Sequence, residues 1–279
     1  MGIDGPEDGT WLAAVPRWAA MDTSTSAMQW VELRLYADLA ELAGQREFAV
    51  PIGAPRSVKD AIESCGVPHP EVGLVLVDGR PVGFDHRLTG GERVGALPPF
   101  HTLDLGDVVT VVPPPIAPRF VLDVHLGTLT RRLRLLGFDC WYRCDADDRQ
   151  LAAVAVDQQR ILLTRDRGLL MRRVIVHGYG PRSDDPEQQA LEVLRRYDLG
   201  GSLAPFTRCV TCNGLLHRAE LAEVVDDLPP RTRGEFRQFA RCTDCGQVYW
   251  PGSHVRAMTG FLDLAAAIGR RSRRRATPE

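Results

Sequence analysis

Lysine is almost missing from this sequence: Lys59 is the only one in a chain of 279 residues with 34 basic side chains. Nearly all the positive charge is arginine, and this reads first as a compositional bias of the chain and only second as a device for phosphate recognition. Net charge is small as well, −2 at neutral pH. The chain as a whole does not attract nucleic acid, and any such field must be local, built from segregated arginines. No apolar run reaches the roughly 18 to 20 residues needed to cross a bilayer. The N-terminus carries Asp4, Glu7 and Asp8 where a secretory signal would be basic and then apolar. A cytoplasmic protein with no membrane partner is expected. A disulfide framework is also disfavoured: the seven cysteines are odd in number and four fall in paired C-x-x-C spacing, which points to metal binding in a reducing compartment. Cys65, Cys140 and Cys144 lie outside that pattern and read as small core or surface residues.

What is present suits a globular chain of two domains, 44% hydrophobic and 25% charged. Residues 1–28 are rich in Gly, Pro, Ser, Thr and Asp without periodicity and read as a disordered leader. From 29 to 113 the pattern is strand (Trp30 to Tyr36), strand (Phe48 to Ile52), helix capped by Ser57, strand (Gly73 to Val77), an Asp78-Gly79 hairpin, and a closing strand from Asp107 to Val112. That order is a ubiquitin-like β-grasp. Pro113-Pro114-Pro115 then forms a short, stiff spacer.

From Arg119 to Leu199 strands and helices alternate, as in a parallel α/β sheet. RFVLD (119–123) and ILLTRD (161–166) are buried strands that each end in aspartate, and Val174 to Val176 reads as a further short strand. The carboxyl ends of parallel strands form the crevice where ligands bind. Asp123 and Asp166 are therefore expected as direct ligands of Mg²⁺ or Mn²⁺, supported by Asp148 (or Asp147) and by Asp184 or Asp185. The competing explanation is helix capping, since each of these aspartates precedes a helix, and Asp185 with Pro186 and Gln188 has the form of a capping box. Arg165, Arg167 and Arg182 are candidate phosphate contacts, with ion pairing to the same aspartates as the alternative. In Leu126 to Leu136 the leucines share a core face, and the arginines among them read as solvated. His125 reads as a helix-start residue.

Cys209-x-x-Cys212 and Cys242-x-x-Cys245, 29 residues apart and followed by Asn213-Gly214 and Gly246, have the form of two zinc knuckles. Four thiolates leave no open coordination position, so the Zn²⁺ is expected to be structural, with His217 and His254 not needed as ligands. Tyr249 and Trp250 read as ribbon core, while Arg231, Arg233, Arg237, Arg241 and Arg256 are candidate RNA contacts. Residues 258–279 read as a C-terminal helix with a basic tail, Arg270 to Arg275, that adds salt-sensitive phosphate affinity.

The ordered series RFVLDVHLGTLTRRLRLLGFD, DADDRQL, ILLTRDRGLL, RSDDPEQQ, TRCVTCNG and RCTDCGQVYWPGSH resembles the Mut-7 C-terminal ribonuclease-like family, over about half the chain. The resemblance implies a PIN-like nuclease domain (118–204) bearing a zinc ribbon (205–257), and metal-dependent cleavage of RNA. The segments VELRLYADLAELAG and LGDVVTVVPP resemble the ThiS/MoaD sulfur carriers. Those carriers end in a free Gly-Gly, which this unit lacks, so carrier chemistry is not expected of it. Docking a protein partner, guiding substrate and stabilising the nuclease domain remain open as roles for residues 29–112. The alternative to a ribonuclease is a non-catalytic RNA-binding or ribosome-associated adaptor with a vestigial acidic crevice.

Overall fold

The computed structural model describes residues 29–100, 110–113, 117–252 and 258–276, with side chains to Arg270. The expected leader, most of the proline spacer, His254 and Arg256 lie outside the described residues.

The first unit is a β-grasp. Alternation along β1 (Gln29–Leu35) turns Val31, Leu33 and Leu35 into the core. Next come α1 (Asp38–Ala43), β2 (Glu47–Ile52), β3 (Arg56–Ser57) and α2 (Val58–Ser64). The Ser57 hydroxyl caps α2 by accepting the Asp60 N–H at 3.1 Å, and the helix buries Val58, Ala61 and Ile62. β4 (Leu74–Val77) turns through Asp78-Gly79 into β5 (Arg80–Pro81); both turn residues have positive φ, 48° and 78°, as a two-residue hairpin requires. β6 (Arg87–Leu88) pairs with β3. β7 (Arg93–Leu97) then inserts beside β1, in parallel, giving the order β2-β1-β7-β4-β5.

The strand that pairs with both β1 and β4 is Arg93–Leu97, where 107–112 was expected to close the unit. Residues 107–109 lie outside the described set, and 110–112 are not strand, although Val111 N–H donates to Gly73 O at 3.0 Å. The signal was weak because β7 has Gly95 at its centre, where the Tyr36 ring approaches within 3.4 Å of where a Cβ would stand. Glycine lowers strand propensity, whereas DVVTVV is rich in β-branched residues.

The second unit alternates as expected: β8 (Arg119–Leu122), α3 (Gly127–Leu135), β9 (Asp139–Tyr142), α4 (Asp148–Asp157), β10 (Ile161–Leu163), α5 (Arg167–Leu170), β11 (Gly178–Tyr179) and α6 (Pro186–Arg196). All pairings are parallel, in the order β11-β10-β8-β9. Side chains alternate across this sheet. Phe120, Leu122, Ile161 and Leu163 face α3 and α6, while Val121 and Leu162 face α4 and α5. The chain leaves β8 to one side for β9 and returns on the other for β10. The sheet thus has a topological switch between β8 and β10, the position where open α/β sheets place ligands.

Two expectations are corrected here. The short strand after α5 is Gly178–Tyr179; 174–176 form no strand, and Val174 and Val176 are exposed. Arg134 is not solvated but 4% exposed, because its helix position faces the carbonyls of Cys140, Val210 and Thr211.

A small antiparallel sheet follows, built from β12 (Leu216–Ala219), β13 (Phe239–Cys242) and β14 (Val248–Tyr249), with the short helices α7 (Leu221–Val224) and α8 (Pro230–Glu235) between its first two strands. Finally α9 (Thr259–Ala276) returns to the α/β unit and buries Phe261 and Ala265 against α3 and α6. Its Gly269 meets Gly200 so closely that a Cβ on Gly200 would lie 2.3 Å from the Gly269 Cα.

Candidate active site and metal centre

Asp123 and Asp166 follow β8 and β10, which are hydrogen-bonded neighbours, so parallel pairing alone brings both to one end of the sheet. Thr164, fully buried between them, joins the two: its hydroxyl donates to Asp123 Oδ2 at 2.6 Å and accepts the Asp166 N–H at 3.0 Å. Asp166 also caps α5, with Oδ1 accepting from Gly168 N and Leu169 N at 2.7 and 3.2 Å. Asp123 makes no capping bond to the turn it precedes. Asp123 Oδ1 and Asp166 Oδ2 therefore have no protein donor among the described residues. In Asp166 the cap thus occupies one carboxylate oxygen and leaves the other.

The remaining acidic candidates have other partners. Asp147, not Asp148, is the N-cap of α4 and forms a capping box with Gln150. Asp148 is the first helical residue and pairs with Arg172 at 3.0 Å. Asp184 pairs with Arg165 at 2.7 Å and is otherwise solvent-exposed. Asp185 caps α6 through Glu187 N and Gln188 N at 3.0 and 2.8 Å, with Pro186 at the first helical position. Among the described residues, no three carboxylates lie within ligand reach of one another.

Of the candidate phosphate contacts, Arg165 bonds Asp184 at 2.7 Å and the Arg182 carbonyl at 3.2 Å. Arg167 and Arg182 turn instead to the β-grasp unit. Arg167 donates to Leu42 O at 2.8 Å. Arg182 pairs with the buried carboxylate of Glu71 and lies over the Tyr179 ring, 5.0 Å from its centroid. Burial opposes the charge of Arg182, but Glu71 holds its pKa above the ordinary arginine value.

The cysteine centre has the expected membership. The Sγ atoms of Cys209, Cys212, Cys242 and Cys245 lie within 4.8 Å of one another, with Cys209 to Cys245 at 3.7 Å and Cys212 to Cys242 at 3.3 Å. Thiolates about 2.3 Å from a tetrahedral zinc are about 3.8 Å apart, so this donor set fits such an ion. Amides of Cys212, Gly214 and Asp244 point at the sulfurs from 3.4 to 3.5 Å, and Tyr249 Oη lies 3.1 Å from Cys209 Sγ. Against the effect of burial, the Tyr249 hydroxyl and the Cys212 and Thr211 amides draw the Cys209 thiol down to about 6, while burial pushes Cys212 up to about 12. A bound cation removes that conflict by stabilising all four thiolates. His217 is exposed on β12, and Trp250 packs against the ribbon core.

Three residues escaped the sequence reading and tie this centre to the sheet. Asn213, at φ 77°, accepts the Cys140 N–H and donates to Asp139 Oδ1, both at 2.9 Å. Asp139 also binds Arg160 at 2.8 Å, and Arg134 holds the knuckle carbonyls from below. The signal available was the Asn-Gly that follows the first C-x-x-C, since asparagine tolerates positive φ.

Residues 118–262 match the family described as "Mut7-C RNAse domain", and residues 28–104 the one described as "Mut7-C ubiquitin". No curated protein matches the chain. Among solved structures, the β-grasp region is similar to small archaeal modifier protein 1 of Haloferax volcanii, with 26% identity over 26% of this chain and 99% of that one, at TM-score 0.24. A putative molybdopterin converting factor subunit 1 from Pyrococcus furiosus has 29% identity over 26% of this chain and 99% of its own, at TM-score 0.23.

Proposed function

Because the chain belongs to the Mut7-C RNAse domain family, with a nuclease-like function in its second half, we propose that it is a metal-dependent ribonuclease acting through Asp123 and Asp166. The observation that carries this reading is the pair of aspartates at the carboxyl ends of adjacent strands, tied through Thr164 from the Asp123 side chain to the Asp166 backbone, each with one carboxylate oxygen that has no donor among the described residues. These are hard oxygen donors and suit Mg²⁺ or Mn²⁺, which bind through one or two carboxylates together with substrate phosphates. When bound, the ion lowers the pKa of a water and neutralises charge on the cleaved phosphodiester. The protein's part is orientation. Thr164 fixes Asp123 Oδ2, the first amides of α5 fix Asp166 Oδ1, and Arg165, the residue before Asp166, offers a phosphate contact when it leaves Asp184. The four cysteines hold a structural zinc, and thiols of this kind suit a reducing, cytoplasmic setting.

The test is cleavage of labelled single-stranded and hairpin RNA, with matched DNA controls, in Mg²⁺, Mn²⁺ or EDTA, by wild type, Asp123→Asn and Asp166→Asn. Asparagine caps a helix as well as aspartate does. Asp166→Asn should therefore keep the fold and lose a ligand charge, with cleavage falling by roughly 100-fold or more in both variants. If the wild type binds RNA without cutting it and both variants bind equally well or better, the chain is an adaptor. The engagement of Asp148, Asp184 and Asp185 by arginines or caps is the observation on that side.

A further inference from the structure

The β-grasp and nuclease units meet along a polar seam whose contacts fall on both sides of Asp166. On one side, Glu71 of the β-grasp unit is fully buried. Its Oε1 accepts the Gly180 N–H at 3.1 Å and Arg182 Nη1 at 3.0 Å, and its Oε2 pairs with Arg182 Nη2. Gly180 directly follows Tyr179, whose carbonyl accepts the Thr164 N–H at 3.2 Å. The Arg182 carbonyl accepts from Arg165 Nη2 at 3.2 Å, and that same guanidinium holds Asp184. On the other side, Arg167 is the neighbour of Asp166 and reaches Leu42 O, at the end of α1. A third tie runs from His69, 6% exposed, whose Nε2–H donates to Ile175 O at 2.8 Å while Nδ1 lies 2.7 Å from Glu63.

These contacts differ from a loose domain contact. A carboxylate with no solvent exposure is costly to bury and persists only where charge and hydrogen bonds compensate it. Among the described residues, the partners of the Glu71 side chain, Gly180 and Arg182, both come from the nuclease unit. Gly180 sits so tightly that an added Cβ would meet Thr164 O at 3.1 Å. The loop from Gly180 to Asp184 is thus held from two units: Glu192 of α6 accepts the Arg182 and Ser183 N–H groups at 2.7 and 3.0 Å, while Glu71 takes the Gly180 N–H and the Arg182 guanidinium.

We infer that the ubiquitin-like unit is a positioning part of the nuclease site: Glu71 and the contacts around it fix the segments Thr164 to Arg167 and Gly180 to Asp184. This rests on the proposed nuclease reading. Glu71 touches neither RNA nor ion. It acts through Arg182 and Gly180 on the groups that do.

The experiment compares full-length wild type, Glu71→Gln, and the paired change Glu71→Leu with Arg182→Met, which removes both charges and leaves none unpaired. RNA cleavage is measured as separate kcat and KM, and amide hydrogen exchange is followed along the chain. In both variants kcat is expected to fall about tenfold or more with KM little changed, since small misplacements of catalytic groups are costly. Amides of 164–168 and 180–185 lose protection while circular dichroism stays native. Wild-type kcat and protection in the variants, or activity lost only in step with global unfolding, overturns the inference and leaves the nuclease reading intact. A wild type that cuts no RNA sinks the nuclease reading alone. Exchange then decides whether Glu71 fixes these segments, with unchanged protection overturning that part.

Discussion

At the scale of single residues, the aspartates that end apolar strands were legible because local pattern and strand order place them. Asp123 and Asp166 needed only the knowledge that β8 and β10 are neighbours. Thr164, Glu71 and Arg134 were not legible, since each owes its role to a partner far along the chain, 41 residues away for Thr164 with Asp123 and 111 for Glu71 with Arg182. In sequence Thr164 is one more strand residue and Arg134 one more arginine on a helix. Replacing Thr164 with valine keeps the shape and deletes the hydroxyl that joins the Asp123 carboxylate to the Asp166 backbone N–H. Cleavage should fall about tenfold, with a stability loss of about 1 kcal/mol by denaturant titration. Asp139 gives a pH prediction. Burial works against its charge, but bonds from Arg160 and Asn213 outweigh this and hold its carboxyl below the usual aspartate range. Its stabilisation is complete above the unfolded pKa of about 3.9 and is lost as pH falls through the lower folded value. Asp139→Asn should cost roughly 1 to 3 kcal/mol at pH 7, and its melting temperature should converge on that of the wild type in acid below about pH 4.

Among the elements, helices with strong caps were read well and short strands poorly. Ser57 and Asp185 announced α2 and α6 through hydroxyl and carboxylate chemistry that acts within three residues. β7 and β11 carried no such signal: one is centred on a glycine, and the other is two residues long and owes its pairing to β10. The cysteine knuckles were legible from spacing, but their attachment to β9 was not. That attachment predicts how metal loss spreads. Stripping the ion with a chelator at neutral pH should expose the ribbon amides and then those of β9, because Cys140 N–H and the Asp139 carboxylate both lean on Asn213. β8 and β10 should remain protected. Hydrogen exchange with and without chelator measures this, and restored protection on adding Zn²⁺ distinguishes it from damage.

For the molecule as a whole, the separate cores of the β-grasp and α/β units suggest two independent bodies, and the sequence left open whether the first docks a partner, guides substrate or stabilises the second. The buried Glu71 couples them, since separating the units strands its charge. Thermal unfolding should be one transition, coincident by circular dichroism and by tryptophan fluorescence, with Trp30 reporting on one unit and Trp141 on the other. Two resolved steps would contradict this. The same seam bears on recombination. A chimera that grafts a different β-grasp unit onto residues 117–276 keeps the four paired cysteines and every candidate site aspartate, yet must also bring its own counterparts of Glu71, His69 and the Leu42 carbonyl to meet Arg182, Ile175 and Arg167. The two halves are thus exchangeable only as a matched pair, and a shuffled library would show it as a block of positions that must cross over together.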